Sequence, residues 1–162
     1  MKVAIITAST AVYKGEQEDA SGKVIRKMVE EAGLDVVFMK ALPTDKTVLS
    51  TVFQRMADGN LADLILTTGG TGFAQRDMTP EATIAVCDRM ANGIADAIRN
   101  YSMTITDRAM FSRAVSGLRK KTLIINLPGS PKAVTEALEY ILPKLPHGLD
   151  VLRGNVQECG RK

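Results

Sequence analysis

The sequence predicts a single α/β domain, a three-layer sandwich with a mainly parallel sheet and helices on both faces. Three observations carry this prediction. Short apolar runs alternate with segments of helical periodicity, the pattern of parallel strands joined by helical crossovers. The run 122–127 is almost continuously apolar, as a strand covered on both faces requires. Two turns rich in glycine and proline directly follow strands, where open α/β sheets hold their ligands.

The elements follow in order. Residues 3–8 read as the first strand, and 9–19 as a polar loop containing Gly15. A helix starts near Asp19, Ala20 and Ser21, places Val24, Ile25, Met28 and Val29 on one face, and stops at Gly33. Residues 34–39 form the second strand, closed off by Pro43. The next helix starts at Thr44 and Asp45, with Val48, Leu49, Val52, Phe53 and Met56 as its core face, and ends near Gly59. A third strand covers 63–68.

A third helix is expected from Thr79 to about Met90, with Thr79 as N-cap and Pro80 at the first helical position. Cys87 shares helical spacing with Ile84 and Ala91, which reads as a buried thiol. Asn92 and Gly93 interrupt the pattern before a further helical stretch over 94–103. Residues 104–121 give no clear signal. After the strand 122–127, Pro128-Gly129-Ser130-Pro131 leads into a helix with Ser130 as N-cap. Val134, Ala137, Leu138, Ile141 and Leu142 form its core face, and Pro143 and Pro146 break or restart it. The methionines at helical spacing read as core. No repeat or linker divides the chain, so 1–162 is one domain.

Composition narrows the function classes. A net charge of +3 from 21 basic and 18 acidic residues, spread along the chain, argues against nucleic acid as partner. No apolar run is long enough to cross a membrane and no signal-peptide layout opens the chain, so the expected location is the cytoplasm. Cys87 and Cys159 match no metal-binding spacing.

The stretch 64–83 says most about function. An apolar strand runs into Gly69, Gly70 and Gly72, where backbone can turn freely and approach a ligand. A helix start follows at Thr79-Pro80-Glu81. Strand, glycine turn and helix N-terminus together suit an anion, most often a phosphate. The stretch is not a Walker loop, because no Gly-x-x-x-x-Gly-Lys-[Ser/Thr] is present, and not a dinucleotide fingerprint, because Gly70 and Gly72 are followed by Gln at position 75. A tight turn without a ligand is the competing reading.

Asp77 stands beside this turn. A carboxylate facing a phosphate makes chemical sense when a cation such as Mg²⁺ lies between them. Pairing with Arg76 or helix capping is the alternative. Asp45 occupies the equivalent place after the second strand, where a first-turn carboxylate can also simply stabilise the helix dipole. Ser112 and Arg113 form a polar pair in an apolar stretch, and Lys132 follows the second turn.

These motifs resemble one family. Thr68-Gly69-Gly70-Thr71-Gly72 is followed by Arg76-Asp77, then Thr79-Pro80-Glu81-Ala82-Thr83, then Ser112-Arg113, then Asn126-Leu127-Pro128-Gly129-Ser130-Pro131. Asp19, Ser21, Gly22 and Asp45 also fit. The chain is similar over almost its whole length to molybdopterin adenylyltransferases, the molybdenum-cofactor domain that also occurs in gephyrin.

The resemblance implies adenylyl transfer from Mg-ATP to the terminal phosphate of molybdopterin, with release of pyrophosphate. It implies Asp45 and Asp77 as catalytic and Mg²⁺-binding carboxylates, and Gly69, Gly70, Thr71 and Gly72 as the nucleotide turn. It implies Ser21, Ser112, Arg113, Asn126, Pro128, Gly129 and Ser130 as substrate-binding residues. It also implies a homotrimer and a molybdenum-insertion partner protein. The sequence departs from the family at Thr10, where an aspartate is usual, at Met78, where valine is common, and at Phe111, where leucine is usual. A phosphate monoester has a second pKa of about 6, so it attacks without a general base, and the lone histidine is not required. The alternatives are a catalytically weak pterin-binding or scaffold paralogue, and a nucleotide pyrophosphatase on a similar fold.

Overall fold

The computed structural model describes residues 1–155, so Cys159 and the end of the expected 1–162 domain lie outside the described residues. Six strands form one sheet: β1 (Lys2–Ala8), β2 (Asp35–Leu42), β3 (Leu64–Thr68), β4 (Arg89–Met90), β5 (Ser116–Arg119) and β6 (Thr122–Leu127). Their spatial order is β2-β1-β3-β6-β5-β4. β2, β1, β3 and β6 are parallel, and β5 runs antiparallel to both of its neighbours. The mainly parallel sheet is therefore as expected.

Alternation along the strands splits the core in two. Val3, Ile5, Leu64, Leu66, Ile125 and Leu127 pack with Ile25, Val29, Val134 and Leu138 on one face. Ala4, Ile6, Ile65 and Ile124 pack with Leu49, Phe53, Ala82 and Val86 on the other. The covering helices are α1 (Thr10–Tyr13), α2 (Ala20–Glu31), α3 (Lys46–Asp58), α4 (Thr79–Val86), α5 (Gly93–Met103), α6 (Pro131–Ile141) and α7 (Leu145–Arg153). Every central strand is buried on both faces by this arrangement, which explains its continuous apolar sequence.

Several expectations need correction. The third helix stops at Val86, because Cys87 is extended (φ −75°, ψ 134°) and the chain joins the sheet edge. Asp88 N–H donates to the Leu118 carbonyl and Ala91 N–H to that of Ser116, so strand pairing overrides the helical spacing of Ile84, Cys87 and Ala91. Ile84 is exposed and Cys87 only half-buried, although burial still pushes its thiol up to about 11. Thr79 is not the N-cap. Met78 occupies that position without a side-chain bond, and Thr79 lies inside the helix. The second strand extends to Leu42. A four-residue helix, capped by Ser9, interrupts the expected 9–19 loop. Met56 belongs to the core, but Met90, Met103 and Met110 are exposed.

Candidate active site

The carboxyl ends of β1 and β3 open into a cleft of about 690 Å³. The strand order reverses its direction of growth at this point, where doubly wound sheets bind ligands. Gly69 (φ 87°) and Gly70 (φ 64°) make the turn in the left-handed region. A Cβ at Gly69 would lie 2.6 Å from the Ala8 carbonyl oxygen, and one at Gly70 would lie 2.5 Å from Thr79 Oγ1. The Thr79 hydroxyl donates to the Gly69 carbonyl (2.9 Å), and its N–H donates to the Gly70 carbonyl (3.1 Å). Both turn carbonyls are thus taken by α4. The first residues of α2 (Ala20, Ser21) and of α6 (Pro131) line the same cleft, so two helix N-termini add partial positive charge.

Asp77 lines the cleft. Its Oδ2 accepts the Gly72 N–H (3.1 Å), and its Oδ1 makes no hydrogen bond within the described residues. Arg76 also lines the cleft, with Glu16, Glu18 and Asp19. Asp19 is committed elsewhere, because Oδ1 accepts from Gly22 N–H and Oδ2 from the Thr7 hydroxyl (2.8 Å each). Asp45 does not line the cleft. It caps α3, accepting the Val48 N–H at 2.9 Å. Its neighbour Thr44 does reach the cleft, held by Thr10 Oγ1, which accepts the Thr44 N–H at 3.2 Å.

A second cavity of about 230 Å³ lies beside the turn, and Gly129 lines both. Thr71, Ser112 and Pro128 from the expected site residues line it, with Arg99 and Arg108. Ser102 lines it as well, and its buried hydroxyl lacks a partner among the described residues. Ser21 ties the two cavities together by donating to the Gly129 carbonyl (2.8 Å).

Other expected substrate residues stand elsewhere. Asn126 is wholly buried. Its amide N–H₂ donates to Thr67 Oγ1 (3.0 Å) and Thr83 Oγ1 (2.9 Å), and its Oδ1 accepts from Val115 N–H (3.2 Å). It organises the sheet under the site and reaches neither cavity. Ser130 caps α6, accepting the Ala133 N–H at 3.2 Å. Arg113 lines neither cavity and bonds instead to Gly72, Asp77 and Glu81. Arg99, Ser102 and Arg108 were not legible as site residues, since no local motif marks them.

The described residues contain no cluster of three or more His, Cys, Asp or Glu side chains placed to hold a metal. Mg²⁺ needs no such cluster, because one or two carboxylates plus substrate phosphates usually hold it. The open Oδ1 of Asp77, in a cleft with few cationic side chains, fits that mode. No helix among the described residues is long and apolar enough to cross a membrane.

Fold and site together define an open α/β domain with its ligand cleft at the carboxyl ends of parallel strands. A family model described as a probable molybdopterin binding domain matches residues 4–147. The chain is 37% identical over 162 residues to a molybdopterin adenylyltransferase of Helicobacter pylori, covering 99% of this chain and 92% of that protein. It is 37% identical over 160 residues to gephyrin of Dictyostelium discoideum, spanning 93% of this chain and 22% of that protein. The crystal structure of the molybdopterin biosynthesis enzyme MoaB from Thermus thermophilus superimposes with a TM-score of 0.89 at 41% identity. That match covers 94% of this chain and 96% of the other. The chain belongs to the molybdopterin-binding domain family of molybdenum cofactor biosynthesis.

Proposed function

We propose that the protein transfers the adenylyl group of Mg-ATP to the terminal phosphate of molybdopterin. The observation that carries this reading is the pair of cavities meeting at Gly129, one at the glycine turn beside Asp77 and one lined by Ser112 and Pro128. The larger cleft takes the nucleotide, with its phosphates at Gly69 and Gly70 and the N-termini of α2 and α6, whereas Thr71 lines the smaller cavity and Gly72, bonded to Asp77 and Arg113, lines neither. The smaller takes the pterin, where the unpartnered Ser102 hydroxyl can bond a polar ring atom.

A molybdopterin phosphate oxygen attacks the α-phosphorus, a new P–O bond forms, and the bond to pyrophosphate breaks. The nucleophile is already ionised near neutral pH, with a second pKa of about 6, so no residue needs to accept a proton. What the chain supplies is placement and charge. Arg76 faces the transferring phosphates. The free Oδ1 of Asp77 would hold Mg²⁺, whereas Asp45 caps α3 outside the cleft. When bound, Mg²⁺ neutralises charge between the two substrates.

A second reading, a pterin-binding paralogue with weak transfer, is favoured by Thr10 at a position where the family carries aspartate. A homotrimer, action in the cytoplasm and delivery to a molybdenum-insertion partner belong to the same proposal. Incubation with molybdopterin and Mg-ATP tests it. Adenylyl-molybdopterin and pyrophosphate appearing in equal amounts support transfer. Bound pterin without product supports the paralogue.

A further inference from the structure

The segment between Gly72 and Asp77 has no regular structure and exposes Phe73, yet it carries two charged residues of the cleft, Arg76 and Asp77. One side chain from a distant part of the chain grips it at both ends. Arg113 Nε donates to the Gly72 carbonyl at 2.7 Å, and Nη2 donates to the Asp77 carbonyl at 2.6 Å. Arg113 backbone N–H donates to the Thr71 carbonyl at 2.9 Å. The remaining terminus, Nη1, bonds the Glu81 carboxylate in the first turn of α4.

Arg113 is itself held in place. Arg99 on α5 donates to the carbonyls of Ser112 (3.0 Å) and Ala114 (2.7 Å), on either side of it. Phe73 also meets Phe111 edge-on, with ring centroids 5.5 Å apart. Three separate acceptors fixed by one side chain demand the rigid fork of a guanidinium, and an ammonium cannot reproduce them. All three guanidinium nitrogens are engaged with the scaffold, and the side chain lines neither cavity.

We infer that Arg113, oriented by Glu81, is a positioning residue that sets the loop carrying Arg76 and Asp77, and that it does not touch substrate. The inference deepens the proposed adenylyl transfer and rests on it for its catalytic consequence. The loop geometry itself does not depend on that reading.

The experiment uses the full chain with Arg113→Lys and the milder Glu81→Gln. Amide hydrogen exchange is measured without substrate, then molybdopterin affinity without ATP, then the transfer rate. Arg113→Lys should speed exchange at Gly72 and Asp77 about tenfold or more while β1, β3 and β6 stay protected. Molybdopterin affinity should stay within about twofold, and kcat should fall about tenfold or more. Glu81→Gln should move the exchange and kcat readouts in the same direction by less, and the double variant should be no worse than Arg113→Lys alone. Loss of molybdopterin affinity with unchanged loop exchange would make Arg113 a substrate ligand and overturn the inference. So would unchanged exchange and unchanged kcat in both variants. If the unmodified protein shows no transfer, the proposed function fails, while exchange and affinity still decide the role of Arg113.

Discussion

The hydroxyl of Thr79 donates to the carbonyl of Gly69 across 2.9 Å, so the first residue of α4 is tied to the first glycine of the turn. Thr79 is wholly buried. Thr79→Val keeps the volume and leaves the Gly69 carbonyl unsatisfied, at a cost of about 1–3 kcal/mol. Urea unfolding should show a lower midpoint with an unchanged slope. An unchanged midpoint would mean that the turn holds itself.

Asn126 predicts stability, not substrate affinity. Its amide joins β3, α4 and the residue before β5 through three hydrogen bonds inside the core. Asn126→Ala should cost about 2–4 kcal/mol, because it strands buried partners and opens a small void. Molybdopterin affinity of the folded fraction should be close to normal, as isothermal titration below the melting range would show. A stable Asn126→Ala protein with lost affinity would place the amide in the ligand site instead.

The Glu81–Arg113 pair has a pH signature. Burial raises the Glu81 pKa, but the Arg113 hydrogen bond, the local backbone bond and the charges of Arg113 and Lys46 outweigh it, leaving the carboxyl below its ordinary 4.5. A folded pKa lower than the unfolded one gives stability that is present above 4.5 and lost as pH falls through the folded value. Melting curves from about pH 7 to about pH 3 should therefore show a smaller acid-side loss for Glu81→Gln than for the natural protein. Parallel curves would mean that the pair contributes nothing.

Much of this site was legible in the sequence because its signals are local. Gly69 and Gly70 need positive φ, Ser130 caps α6 in front of Pro131, and apolar continuity marked β3 and β6. What escaped depends on contacts between distant segments. Arg89–Met90 becomes a strand because β5 is there to pair with it. Arg113 and Asn126 stood out as polar residues near motifs, but only the fold shows their hydrogen bonds pointing into the scaffold. Ser112 and the Pro128–Gly129 turn of the second cavity stood out near motifs, but Arg99, Ser102 and Arg108, which complete it, carry no local signal.

Single-turnover adenylation by Asp77→Asn decides whether the Asp77 carboxylate holds the cation of the reaction. An amide oxygen can still accept the Gly72 N–H, so the loop should keep its shape while the charge that would hold Mg²⁺ is gone. Transfer should fall on the order of a thousandfold, about 4 kcal/mol in the transition state, with molybdopterin affinity and melting temperature nearly unchanged. Near-normal transfer by a folded Asp77→Asn protein would mean that Asp77 holds no cation for the reaction.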